Sequence, residues 1–320
     1  MHIENDRPVT VVTHHRRFHA DDVAGCAILS LIYGSRLRIS RLARGDSRVD
    51  SFDYKLDIGQ KHDPENGYFD HHQPDGAGKR PASFNRRLSD NVPYATAGLV
   101  WKHFGLALCD NNQAVYNLVE DKLIAAIDAS DVGMRTNLRA EGLSASERVA
   151  NRNGDDLGNH NEQLRRFVQV MQELAEDIRA LIAYGQRTLV RQRVVEDAIY
   201  AHLDKDEKVP QVLKLPITVD QWRDPQTLRL LSQHGVKILL MPCRENETLV
   251  HMVDNHYRFP PSWRGLTPEG QKRLLGTDGH VVFTNDRHAR VSDMATADRV
   301  AQKTLEGMRF SPIFKAAHGE

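Results

Sequence analysis

The 320-residue sequence has no apolar run long enough to cross a membrane, no internal repeat, no heptad pattern and no low-complexity tract. These absences exclude membrane-spanning, solenoid, coiled-coil and largely disordered architectures. Cysteine is scarce: Cys26, Cys109 and Cys243 are far apart and form no Cys-x-x-Cys pair. Neither a disulfide frame nor a thiolate zinc site is expected, and a reducing compartment is. There is no excess of charge of either sign, with 43 Lys plus Arg against 43 Asp plus Glu. No global field therefore draws the chain to nucleic acid or lipid, and any polyanion contact must be local. The opening MHIENDRPVTVV lacks both a basic-then-apolar secretion signal and the Arg- and Ser-rich character of a presequence. A cytoplasmic protein without a membrane partner is the expectation.

What is present is an ordinary globular balance, 40% apolar and 27% charged, in a chain about twice the usual single-domain length. Val9 to Thr13 reads as a strand, followed by a polar HHRRFH segment and a buried helix, AGCAILSLIYG, ending at Gly34. RLRISRLA and YKLDIG read as further strands, so the first third predicts a parallel α/β sheet. From about Tyr94 the pattern turns helical through AGLVWKHFGLAL and NQAVYNLVEDKLIAAIDAS, and the polar stretch from Arg135 to Asn161 reads as a loop or hinge. Gln163 to His202 carries helical periodicity. Beyond it LKLPITV, VKILLMP, TLVHMVD and HVVFTN read as strands and Pro225–His234, Pro268–Leu275 and Ser292–Gly307 as helices, a second α/β unit.

Histidine is the unusual residue. There are sixteen, eight of them within the first 103 positions, several beside one another or beside aspartate. In an open parallel sheet, functional groups collect at the carboxyl ends of strands. The first strand delivers His14, His15, His19, Asp21 and Asp22, the third delivers Asp57, the FDHHQ segment delivers Asp70, His71 and His72, and the helix ending IDASDVG supplies Asp128 and Asp131. Imidazoles and carboxylates without thiolate suit manganese, iron, cobalt or zinc, and the carboxylate-heavy mixture leans toward manganese and hydrolysis. Two divalent ions about 3.5–4 Å apart, bridged by one carboxylate, could bind both the attacking and the leaving oxygen of a phosphoryl displacement. The histidines elsewhere in the chain read as surface or capping residues. The run Arg36, Arg38, Arg41, Arg44 and Arg48 reads as a solvated edge face rather than a phosphate track.

The phrases THHRRFHADDVAGCAIL, LDIGQKHDPENGYFDHHQ, TAGLVWKHFG, IDASDVG and FPPSWRGL, in this order, resemble the Myg exonuclease family. That family lies within the DHH phosphoesterase superfamily of RecJ exonucleases, nanoRNases and manganese-dependent pyrophosphatases. The resemblance runs from about Val11 to the last helix. It implies an α/β fold with a DHH-type catalytic domain over residues 1–150, a helical connector over 151–205 and a smaller α/β substrate-binding domain over 206–320, with the active site in the cleft between the two. It also implies that His14, His19 and Asp57 hold one metal and Asp21, Asp57, His71 and Asp131 the other. His72 would face the substrate phosphate, and Asp70 would orient a ligand histidine. His15 is an alternative to His14, and Asp128 to Asp131; the family context favours His14 and Asp131.

The chain departs from the family pattern at His15 and Arg16, where an acidic residue and a glycine are usual. It departs again at VVFTNDRHARVSD, where the family has a glycine-containing loop. Arg287, His288 and Arg290, with Arg264 of the WRGL phrase and His15, are the expected substrate contacts. The implied function is that of a hydrolase, a 3′-to-5′ exoribonuclease using two manganese ions to activate water and releasing nucleoside monophosphates from single-stranded or short RNA. The alternatives are a phosphatase or pyrophosphatase on small molecules, and a non-catalytic metal-binding protein. The oligomeric state, homodimer included, is left open by the sequence.

Overall fold

A computed structural model of the chain describes residues 7–81, 91–134, 144–205, 207–217, 225–243, 246–253, 258–276 and 278–309. It divides into two compact units, 1–186 and 187–320. In the first, β1 (Val9–His14) leads into α1 (Ala20–Tyr33), β2 (Leu37–Leu42), β3 (Tyr54–Leu56), and the two-residue β4 (His62–Asp63) and β5 (Tyr68–Phe69). The five strands lie in the order β2-β1-β3-β5-β4. β1 pairs parallel with β2 and β3, and β3 parallel with β5, while β4 closes the edge antiparallel. The expected α/β class is what the structure shows. β4 and β5 escape a sequence reading because two residues have no periodicity.

Helix α1 opens with Asp21 and Asp22, acids in the first turn where the helix dipole favours them. Its next residues, Val23 to Leu29, are all buried. The small residues among them allow close approach: Gly25 lies against Leu56, Thr96 and Val100, where a methyl group would crowd all three. The partner is α2 (Thr96–Leu108), followed by α3 (Gln113–Val119), a π turn at Glu120–Ile124 and α4 (Ala125–Asp131). Within the stretch expected to be loop, Ala145–Arg152 forms α5. Ser144 caps it, accepting the Glu147 N–H at 3.2 Å while Glu147 accepts the Ser144 N–H at 2.7 Å. This Ser-x-x-Glu capping box was the available signal, hidden by the polarity of the helix it starts. Residues 135–143 of the same stretch lie outside the described residues. Helix α6 (His160–Leu203) is one uninterrupted helix.

The second unit holds a five-stranded sheet, β6-β7-β8-β10-β9, formed by β6 (Val212–Lys214), β7 (Ile238–Pro242), β8 (Thr248–Met252), β9 (Val281–Phe283) and β10 (His288–Val291). Only β6 and β7 pair parallel; the other three pairings are antiparallel. Helices α7 (Pro225–Gln233), α8 (Pro268–Leu275) and α9 (Met294–Arg309) accompany it. One face buries Ile238, Leu240, Val250, Met252, Val291 and Val300, the other Leu213, Leu239 and Met241 with Val195 and Ile199 of α6. The segment Arg287–Arg290, read from sequence as a loop, supplies most of strand β10; its charged residues alternate with buried Ala289 and Val291. Among the described residues no helix is long and apolar enough to cross a membrane.

Candidate metal centre

The carboxyl ends of three adjacent parallel strands, β1, β3 and β5, meet the first turn of α1 and the last turn of α4. β1 ends on His14, β3 is followed directly by Asp57, and β5 by Asp70, His71 and His72. His14 is buried, with Nε2 3.0 Å from Asp57 Oδ2 and 3.6 Å from Asp22 Oδ2. His71 Nε2 faces three carboxylates, at 3.2 Å from Asp131 Oδ2, 3.5 Å from Asp57 Oδ1 and 3.6 Å from Asp21 Oδ2. His72 Nδ1 lies 3.1 Å from Asp57 Oδ1 and 2.8 Å from Asp70 Oδ1. His19, at the mouth of α1, has Nδ1 4.0 Å from Asp131 Oδ1. Three combinations, His14–His19–Asp57, Asp57–His71–His72 and His19–Asp21–Asp131, each place one ligand atom per residue within 4.8 Å of the others. Asp57 belongs to two of them. Its backbone lies in the left-handed region, φ 54°, which Asp tolerates better than most residues, and strain of this kind gathers at functional sites.

The chemistry of these groups fits a divalent cation. His14 Nε2, His71 Nε2, Asp21 Oδ1 and Asp57 Oδ1 are all buried, and none makes a hydrogen bond of acceptable geometry. Buried polar atoms left so are costly unless something else engages them, and all four belong to residues of the overlapping ligand groups. Metal-free, the cluster compensates through protons. Burial would lower the His14 imidazole, but Asp57 and Asp22 more than offset it and hold the group above its ordinary value. Against the same effect, Asp131 and Asp57 raise His71 to about 10. Asp57 and Asp70 raise His72 to about 9. Burial, together with Asp57 and Asp131, pushes the Asp21 carboxyl well up, whereas Asp57 is held well below the usual carboxylate range, against its own burial, by His14, His71 and His72. A divalent cation would enter such a site in exchange for protons.

The two alternatives left open by the sequence part ways here. His15 is not in the cluster; its ring stacks on His160 at 5.8 Å. Asp128 is fully buried away from it, 2.8 Å from Arg80 Nη2. Asp70 reaches His72 rather than His71, and also accepts the Gln60 N–H at 2.6 Å. Of the expected substrate contacts in the second unit, Arg264 is exposed beside the packed Trp263. Arg287 donates to the Met252 carbonyl at 3.0 Å, His288 stacks on His251 at 4.5 Å, and Arg290 pairs with Glu247 at 2.9 Å.

Three supporting groups had no role in the sequence reading. Asp22 accepts from Thr13 Oγ1 at 2.9 Å and from the His19 N–H at 3.0 Å, tying β1 to the start of α1. Arg44, one of the arginines read as a surface face, reaches Asp57 Oδ2 at 3.4 Å. Arg80 donates to Glu120 and Asp128 together, under the ring of Tyr94. Burial raises the Asp128 carboxyl to about 7, Arg80 pulling against it. A methyl at Gly98 would land on this ion network. The network fastens α4 and the π turn, and α4 carries Asp131 at its end. The signal for Arg80 was an isolated arginine some forty positions before two acids, which no local pattern connects.

Residues 10–304 match the model of MYG1_exonuc, described as uncharacterised protein family UPF0160. The chain belongs to that family. MYG1_exonuc relatives include the "MYG1 exonuclease" of Homo sapiens, 24% identical over 312 residues, covering 85% of this chain and 79% of that protein. The "MYG1 protein" of Dictyostelium discoideum is 24% identical, covering 85% of this chain and 89% of its own length. That of Chlamydia trachomatis is 22% identical, covering 86% and 88%. A solved structure described as a DHH domain of the s1p family of ribosomal proteins covers 94% of this chain and 86% of its own at 11% identity, with a TM-score of 0.20; that likeness carries no weight for the fold, which rests on the strands and helices described above.

Arg16 stands at φ 68°, a conformation glycine adopts without strain. Arg16→Gly is therefore expected to raise the unfolding free energy by up to about 1 kcal/mol, read from the urea midpoint; a clear loss would show that the Arg16 side chain holds this turn.

Proposed function

We propose that this chain is a metal-dependent phosphodiesterase that removes nucleoside monophosphates from the 3′ end of single-stranded or short RNA in the cytoplasm. The observation that carries the reading is the convergence on Asp57 of imidazoles and carboxylates whose buried atoms lack hydrogen-bond partners. The word exonuclease in the relatives' names narrows the reaction from hydrolysis to nuclease action. When bound, two divalent cations, manganese by the carboxylate-rich donor set, would supply hydroxide near neutral pH and offset charge gathering at phosphorus.

The residues then divide the work. His14, His19 and Asp57 hold one side of the centre, and Asp21, His71 and Asp131 the other, with Asp57 shared. Asp70 fixes His72 through Nδ1 at 2.8 Å, so that its Nε2 is free to hold a proton toward the leaving oxygen. Arg44, partly exposed beside Asp57, offers a guanidinium to a phosphate oxygen. His15, with Arg264, Arg287, His288 and Arg290, would contact the rest of the nucleotide chain. Zero net charge suits a short end-bound substrate better than a long duplex.

The test is a manganese-dependent assay in which 5′-labelled oligoribonucleotides, pyrophosphate and nucleotide phosphates are offered side by side. The expected result is stepwise shortening from the 3′ end with nucleoside monophosphate as product. Release of inorganic phosphate alone would replace this reading with a small-molecule phosphatase or pyrophosphatase, which the engagement of Arg287 and Arg290 within their own unit also fits.

A further inference from the structure

His14, His71 and His72 are fixed by carboxylates through their own rings, but His19 is not. Its side chain is 48% exposed, and the nearest carboxylate oxygen lies 4.0 Å from its Nδ1. Yet His19 belongs to two of the three ligand combinations. Its ring lies 5.3 Å from that of His14 and its N–H donates to Asp22 Oδ1 at 3.0 Å, and the preceding residue is gripped from far along the chain. Asn153, just beyond α5, accepts the Phe18 N–H through Oδ1 at 2.8 Å and donates to the Phe18 carbonyl through Nδ2 at 2.9 Å. The amide thus pairs with both backbone groups of one residue, as a neighbouring strand would. The Phe18 ring is buried, set edge-on against Phe167 of α6 at 5.6 Å. The Arg41 guanidinium lies over both rings, at 5.2 and 5.0 Å, and donates to the Arg16 carbonyl at 3.0 Å. The turn is thus held at Arg16 by Arg41, at Phe18 by Asn153 through the backbone and by Phe167 and Arg41 through the ring, and at His19 by Asp22, which accepts its N–H at 3.0 Å; Asn153 is the group that pairs with both backbone groups of the residue before His19.

We propose that Asn153 is a positioning residue for His19: by pairing with both backbone groups of Phe18 it sets the imidazole where the His14–His19–Asp57 group can take a divalent cation. The inference rests on the metal-centre reading above. Asn153 touches none of the ligand side chains among the contacts it makes, so its effect reaches the cation only through the Phe18 backbone. Partners of this indirect kind change metal affinity by about 10- to 100-fold when removed.

The experiment uses the full chain stripped of metal and compares wild type with Asn153→Ala and His19→Ala. Hydrogen exchange at the Phe18 amide, measured without metal, reads the clamp itself. Cobalt(II) titration followed by visible absorption reads its consequence. Asn153→Ala is expected to speed Phe18 exchange at least tenfold and to weaken one cobalt site by about 10- to 100-fold, with the other within about twofold, reproducing the His19→Ala titration. Unchanged Phe18 exchange, or two cobalt sites weakened equally, would overturn the proposal. If Asn153→Ala does not fold, Asn153→Asp carries the same test, since it keeps the acceptor for the Phe18 N–H and loses the donor. A wild-type chain that takes up no cobalt would instead overturn the metal-centre reading, whatever Phe18 exchange shows.

Discussion

Asp57→Asn is expected to lower turnover by three orders of magnitude or more, about 4 kcal/mol in the barrier, while leaving the fold intact. The substitution is chosen for its backbone. Asp57 sits at φ 54°, where asparagine is comfortable and alanine is strained, so a loss in Asp57→Ala would mix folding with chemistry. Asparagine keeps the shape and one acceptor but removes the charge that His14, His71 and His72 all face. Without it the two halves of the centre no longer share a carboxylate. Single-turnover hydrolysis of an oligoribonucleotide, with far-ultraviolet circular dichroism as the folding control, measures the effect. Turnover within a few fold of wild type would remove Asp57 from the centre.

The largest effect on stability should come from Arg80→Met, at about 3–5 kcal/mol. The Arg80 side chain is fully buried, and Asp128 and Glu120 are its buried partners. Taking away the cation removes the charge that Asp128 and Glu120 share in a dry interior, while the Gly98 N–H still donates to Asp128 Oδ1 at 3.0 Å. Methionine fills much of the volume but can donate to neither. Since burial already raises Asp128 to about 7, the variant should lose most at alkaline pH, where the carboxyl must ionise, and recover part of its stability as the medium is acidified toward neutrality and Asp128 can take up a proton. Urea unfolding at two pH values on either side of neutrality checks both the size and the sign. A loss below about 1 kcal/mol would mean the network contributes little to holding α4.

The first unit was legible in the sequence because its signals are local. The β-branched run at Val9 to Thr13, the small apolar helix after it and the clustered His and Asp residues each carry their meaning within a few positions, and their placement at strand ends follows from parallel-sheet topology. What escaped was long-range or short. Asn153 and Phe18 are paired across 135 positions, and Arg80 and Asp128 across 48, so nothing in the neighbourhood of either announces its partner. Arg41 was read with its neighbours as part of a charged edge, whereas its half-buried guanidinium lies over two phenylalanine rings. Strand β10 was missed because His288 and Arg290 make HARV look polar; only the sheet reveals that Ala289 and Val291 face inward.

The central claim is that His14, His19, Asp21, Asp57, His71 and Asp131 form a divalent-metal centre organised about Asp57. Its most direct test is calorimetric titration of manganese into the chelator-stripped chain, wild type beside Asp57→Asn. Two ions per wild-type chain with proton release are expected, since the ligand His71 is held protonated without metal, and at most one tightly held ion in Asp57→Asn. No manganese uptake by the wild type, or the same two sites in both proteins, would contradict it.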